Sequence, residues 1–134
     1  MPESKKTIII LPGWGGTKET WQPFIERAKE HYNVECINLP CFGDEPCPEK
    51  VWGIEEYSHF VESKVKSLSD DKAGQKSKVI LLGHSFGGQI AVYVTAHHPE
   101  LIDTLILSGP AVFRPKRSFH RFVFGLVAKI GKKI

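Results

Sequence analysis

Long apolar runs are missing from this chain. None of its 134 residues belongs to a stretch near the roughly 20 apolar residues that carry a helix across a bilayer. The charged segment Met1 to Lys6 is followed only by Ile8 to Leu11 as an apolar core, too short for a secretion signal. A cytoplasmic location is therefore the expectation. Cysteine is scarce too: Cys36, Cys41 and Cys47 make an odd count without an export signal, which argues for reduced thiols. Cys36 falls inside a strand pattern and is expected in the core. Cys41 and Cys47 lack a Cys or His companion at zinc spacing, so no metal is expected, and ordinary loop cysteines are preferred over a redox pair or two metal ligands. Repeats and low-complexity segments are absent. With 41% hydrophobic and 25% charged residues the composition excludes disordered and fibrous classes, and the length suits one domain with a core of ordinary size.

What the chain does have is Val79-Ile80-Leu81-Leu82-Gly83-His84-Ser85-Phe86-Gly87-Gly88-Gln89-Ile90-Ala91. A β-branched and leucine run, a tight turn and a breaker-free run to His97 read as strand, turn and helix. Gly83, Ser85 and Gly87 satisfy Gly-x-Ser-x-Gly, the turn that lifts a serine hydroxyl above a strand end. Side chains at 83 and 87 would collide with neighbouring backbone, and the helix start supplies free N–H groups beside Ser85 that favour a forming anion. A glycine turn cradling a phosphate at the helix N-terminus is the alternative.

A second buried strand, Thr7-Ile8-Ile9-Ile10-Leu11, runs into the loop Pro12-Gly13-Trp14-Gly15-Gly16. Together with Leu39-Pro40-Cys41-Phe42-Gly43 and the segment His98 to Leu107, these stretches resemble an α/β-hydrolase from Lys6 to about Pro115. The resemblance implies that Ser85 is the nucleophile and that the backbone N–H groups of Trp14 and Phe86 form the oxyanion hole. It also implies that the rings of Trp14 and Phe86 line an acyl pocket, with Gly13, Gly15, Gly83 and Gly87 shaping the two loops. Where the family usually has glycine, this chain has Cys41.

In chain order, the pattern predicts a strand at Thr7 to Leu11 and a helix capped within Thr17 to Thr20 and running to about Lys29, with Trp21, Phe24, Ile25 and Ala28 inward. A strand at Asn33 to Leu39 and a loop at Pro40 to Pro48 follow, then an amphipathic helix marked by Ile54, Tyr57, Phe60, Val61, Val65 and Leu68. Ser77 to Leu82, Gln89 to His97 and Asp103 to Ser108 complete the alternation. The fold class is α/β: a three-layer sandwich on a mostly parallel sheet of about four strands, a partial α/β-hydrolase fold. Right-handed crossovers and the strand order that the resemblance implies put the first and third strands side by side, so Trp14 and Ser85 are expected to meet at the carboxyl-end switch point.

A serine hydroxyl needs a base, and the base a carboxylate to orient it. His84 points away across the turn. His97 and His98 end the helix that starts at Ser85, on the order of 15 Å off at about 1.5 Å per residue. His31 and His59 sit on other helices, and Asp103 lies roughly 15 to 20 Å away at the amino end of its strand. Asp44 and Glu45 are within reach of the rim but read as solvated loop acids, and His120 is the one histidine left as a stand-in base, disfavoured because nothing fixes its position. The resemblance places the acid and histidine after strands that this sequence does not contain, so the expectation is the N-terminal half of a serine hydrolase, crippled alone and prone to self-association through an uncovered sheet edge.

From Arg114 to Ile134 there are seven basic residues and no acid, leaving eleven of the 18 Lys and Arg residues against 15 acids in the remainder. Residues 1–112 read as the hydrolase core and 113–134 as a basic amphipathic helix. The start of a cap is preferred to a membrane-surface contact, and nucleic-acid binding has no supporting motif. Two functions follow. One is hydrolysis of a carboxylic ester or similar acyl bond on a small-molecule substrate through acyl-Ser85, without a cofactor. The other is a non-catalytic fragment or binding protein that docks through its basic helix.

Overall fold

The computed structural model describes residues 5–69 and 77–112. Aliphatic runs become four strands: β1 (Thr7–Leu11), β2 (Asn33–Cys36), β3 (Val79–His84) and β4 (Ile102–Ser108). Every pairing is parallel, in the order β2-β1-β3-β4. Since side chains alternate across a strand, β1 and β3 divide their apolar residues between two faces. Ile9, Leu11, Val79 and Leu81 pack on α2 (Ile54–Ser69) and α3 (Phe86–His97) through Tyr57, Val61, Val65, Ile90, Ala91 and Val94. Ile8, Ile10, Ile80 and Leu82 face the other way, onto Ile25 of α1 (Gln22–Ala28) and Trp21. Helix, sheet and helix pair give the three expected layers.

Leu81 is fully buried in the larger of these layers. Leu81→Ala is expected to destabilise the chain by about 2–5 kcal/mol, the usual range for a core cavity, read as a fall in urea midpoint at unchanged slope.

The first helical segment departs from expectation. Lys18–Trp21 is a 3₁₀ turn, and α1 begins only at Gln22. Pro23 accounts for the break, because it lacks an N–H and is tolerated only in the first turn of a helix. The shortened helix buries Ile25 alone; Phe24 stays 40% exposed, edge-on to Trp21 at 5.8 Å. β2 also stops early, at Cys36 rather than Leu39, although Ile37 N–H still donates to Ile10 O (3.0 Å) and both Ile37 and Leu39 are buried. Beyond the strand the Asn38 side chain ties loops together, accepting from Lys18 N–H (2.9 Å) and donating to Asp44 Oδ1 (2.9 Å).

The cysteine expectation is corrected. Cys41 and Cys47 form a disulfide, their Cα atoms 4.3 Å apart. The loop brings them together through Phe42 N–H donating to Leu39 O (2.9 Å) and Glu45 N–H to Phe42 O (3.2 Å), which fold it back on itself. Cys36 is a free, half-buried thiol, and burial pushes its pKa up to about 11.

Ion pairs gather at the amino ends of the strands. Lys6 Nζ lies 3.0 Å from Asp103 Oδ2, and Glu62 on α2 meets Lys66 and, at 3.0 Å, His98 Nε2 just past the end of α3. The Lys66 hydrogen bond holds the Glu62 carboxyl below its ordinary range, and Lys6 does the same for Asp103. A carboxylate whose folded pKa is depressed contributes stability above its unfolded value and loses it as pH falls through the folded one. Urea midpoints are therefore expected to hold level above the ordinary carboxylate range near pH 4 and to fall below it. Glu62→Gln should flatten that fall.

Candidate active site

The site is built where β3 turns into α3. Ser85 occupies φ 51°, ψ −115°, a left-handed conformation that costs a non-glycine residue about 1–3 kcal/mol and persists only where the surroundings enforce it. Three features enforce it here. Ser85 N–H donates to Ser108 O at the end of β4 (3.1 Å), and Ser85 O accepts from Gly88 N–H (3.0 Å) and Gln89 N–H (3.3 Å). The turn is also packed too tightly for side chains at its glycines. A Cβ on Gly83 would sit 2.6 Å from Gly87 O and 2.7 Å from Gly88 Cα. One on Gly87 would run into the Leu11 and Pro12 carbonyls.

That second clash shows how close the glycine loop lies. β1 and β3 are adjacent, with Leu11 opposite Gly83, so residues 12–16 leave the sheet beside the serine turn. A Cβ on Gly13 would lie 3.2 Å from Ser85 Cβ. Gly15 makes the return at φ 75°, and Gly16 N–H donates to Gly13 O (2.9 Å). Among the described residues neither the Trp14 nor the Phe86 main-chain N–H is taken up by a hydrogen bond. Each of the two loops beside the half-buried Ser85 thus carries one N–H that the described residues leave uncommitted.

Aromatic rings make the wall on the α2 side. Trp14, 69% exposed at the rim, is edge-on to Phe86 (5.3 Å) and to Phe42 (5.0 Å). Phe86 in turn rests on buried Tyr57 (5.3 Å), which is edge-on to Trp52 (5.4 Å). Phe42 and Trp52 were not legible as wall residues, because a lone aromatic in a loop has no periodicity to place it. Ser108 was missed for another reason: it acts through its carbonyl, and main-chain roles leave no trace in residue type.

The titratable groups fall as the sequence expects. His84 Nδ1–H donates to Ser108 O (2.9 Å), and its ring lies edge-on to Trp21 at 6.1 Å. His59 is exposed beside Glu62 (3.4 Å). His97, bonded to Tyr93 O (2.8 Å), and His98 close the far end of α3, and His31 is exposed beyond α1. Asp103 pairs with Lys6 at the opposite edge of the sheet. Asp44 is exposed, and the Asn38 hydrogen bond lowers its pKa; Glu45 faces Lys64 at 3.9 Å. His120 and the basic stretch 113–134 lie outside the described residues. Among the described residues no group of His, Cys, Asp and Glu is arranged to hold a metal, and no helix is long and apolar enough to cross a membrane.

An all-parallel sheet whose β3 ends in a strained serine between close-packed glycines, opposite a glycine loop from the adjoining strand, defines the α/β class with a serine turn at its switch point. The chain belongs to the α/β hydrolase fold family, whose model matches residues 6–125. It is similar to the pimeloyl-[acyl-carrier protein] methyl ester esterase of Neisseria meningitidis serogroup A, with 27% identity over 109 residues, covering 81% of this chain and 31% of that protein. The serogroup C counterpart matches at the same identity with 38% of its length covered, so the chain spans about a third of the curated relatives it matches. Among solved structures, a marine microorganism esterase superposes with TM-score 0.73 at 25% identity, over 98% of this chain and 48% of that one. A bacterial membrane phospholipase A does so with TM-score 0.75 at 27% identity, over 90% and 38%.

Proposed function

We propose that this chain carries the nucleophile and oxyanion half of a serine hydrolase that cleaves carboxylic esters or similar acyl bonds. The observation that carries this reading is the juxtaposition of strained Ser85 with two loops that each offer an uncommitted N–H, from Trp14 and Phe86. Ser85 Oγ attacks the acyl carbon and the carbonyl oxygen takes up negative charge between the two amides. The alkoxide or thiolate then leaves with a proton, and water later releases the acid from Ser85. The Trp14, Phe42 and Phe86 rings offer an apolar, edge-lined surface that suits an acyl chain better than a charged group. The relatives' esterase names point the same way, toward a simple alkyl ester as the bond cleaved.

Among the described residues no histidine is hydrogen-bonded to Ser85, and slow turnover is expected for the chain alone. A triad stripped of one member still retains about 10³–10⁴-fold over water from oxyanion donors and binding. β4 exposes Ile106 and Leu107 at the sheet edge, and we infer self-association of the chain through this edge. Incubation with short and medium-chain p-nitrophenyl esters, followed by intact mass and peptide mapping, tests the reading. An acyl adduct accumulating on Ser85 is expected. Ester cleavage without an adduct at Ser85, or an adduct elsewhere, would overturn it.

A further inference from the structure

We propose that Cys41 and Cys47 form a thiol–disulfide exchange site that opens to a dithiol reductant and thereby releases Phe42 from Trp14 at the mouth of the crevice. Both cysteines are exposed, so an incoming thiolate meets no steric barrier. Exposed disulfides are the readily exchanged ones, in contrast to buried structural bridges. The third cysteine stays out of the exchange: Cys36 is half-buried and its burial keeps it protonated.

The backbone explains why opening would move the loop. Cys41 sits at φ 73°, a left-handed conformation that a residue with a Cβ does not adopt without restraint. The Leu39–Phe42 turn, closed by Phe42 N–H donating to Leu39 O (2.9 Å), puts Cys41 there, the bridge to Cys47 adds a second restraint, and Phe42, the next residue, is carried within the ring that the bridge closes. Phe42 then meets Trp14 edge-on at 5.0 Å, and Trp14 meets Phe86 at 5.3 Å, so three rings link the bridge to both proposed oxyanion residues. Once the bridge opens, the turn alone opposes the strain of a side chain at that φ, and as Cys41 relaxes the direction of Phe42 changes with it.

The exchange balances with a dithiol as reductant. Its first thiolate attacks one Sγ, the Cys41–Cys47 bond breaks, and the electron pair leaves on the other Sγ, which takes a proton. The second thiol of the reductant loses its proton and displaces the mixed disulfide. The loop gains two electrons and two protons, and the reductant ends as its own disulfide.

The test titrates the air-oxidised 134-residue chain with dithiothreitol at neutral pH without denaturant. Maleimide mass tagging, tryptophan emission and the rate of fluorophosphonate labelling are read together. Two tags on Cys41 and Cys47, a shift in emission and a roughly two- to tenfold fall in labelling are expected, the range that losing one aromatic edge contact supports, with recovery on reoxidation. Cys41→Gly removes the bond and suits the left-handed position, so its emission and labelling should match the oxidised chain and ignore the reductant. A bridge that resists dithiol in the folded chain would overturn the proposal, as would reduction that leaves emission unchanged. The labelling arm rests on the hydrolase reading. If neither form labels, that reading fails, while tagging and emission still decide the exchange site.

Discussion

Gly87→Ala is expected to cost the chain at least roughly 3 kcal/mol, beyond the usual penalty for overpacking. The methyl group would enter the space of the Leu11 and Pro12 carbonyls, and its nearest carbon, Leu11 C, would lie at 2.6 Å. Neither side can give way cheaply. Leu11 is paired in register with Gly83, and the first turn of α3 is pinned by the Ser85 carbonyl. The strand would have to separate from the helix, and with it the glycine loop would move off Ser85. Gly15→Ala is the informative comparison. No atom lies within 4 Å of a Cβ there, and only the positive φ of 75° opposes it, so a loss of about 1–2 kcal/mol is expected. Urea midpoints of the two variants, measured beside the parent, check the contrast. Equal losses would mean that the close approach of the two loops is not what the fold depends on.

Ser85→Gly is expected to act in opposite directions on stability and chemistry. Glycine adopts φ 51° without the penalty that serine bears, so the folded chain should gain about 1 kcal/mol, with the greater freedom of an unfolded glycine taking back part of the relief. The hydroxyl is gone, so reaction with acyl esters and phosphonates at this position should vanish altogether. A higher urea midpoint combined with complete loss of adduct is the outcome expected of strain kept for function. If the variant were less stable than the parent, the strained turn would have to be held by the serine side chain itself.

Much of this fold was legible because β1 and β3 are buried on both faces. The runs Ile8 to Leu11 and Val79 to Leu82 have no polar interruption, and the serine turn follows the second at a fixed spacing, so the parallel sheet came from pattern, while the pairing of β1 with β3 and the crevice between them came also from the family resemblance. Helical stripes were legible where they met a full layer, as in α2, where Tyr57, Val61 and Val65 are buried. They misled in α1. Trp21 and Phe24 recur at helical spacing, yet Pro23 divides the segment, and Phe24 turns outward onto Trp21. The disulfide was not legible because an odd count and a spacing of six leave pairing open. What joins Cys41 to Cys47 is a pair of main-chain turns and the Asn38–Asp44 hydrogen bond, none of which residue type announces. Within the site, Ser85 was named by its motif, whereas the carbonyl of Ser108 and the ring of Phe42 became visible only once β4 and the loop were in place.

Neither a histidine nor a metal is needed to explain why Ser85 sits as it does. Position alone gives the residue its surroundings: a strained turn, a glycine loop packed close to it and an aromatic rim, to which the proposed function adds two main-chain donors. Treating the folded chain with a fluorophosphonate and mapping the product by mass spectrometry asks whether those surroundings suffice to activate one serine. A single phosphonyl group on Ser85, formed faster than on any other of the chain's serines and not formed when the chain is unfolded in urea before treatment, is the predicted result. A folded chain that stays unmodified, or that reacts equally at several serines, would contradict the claim that this turn is built to stabilise an anion.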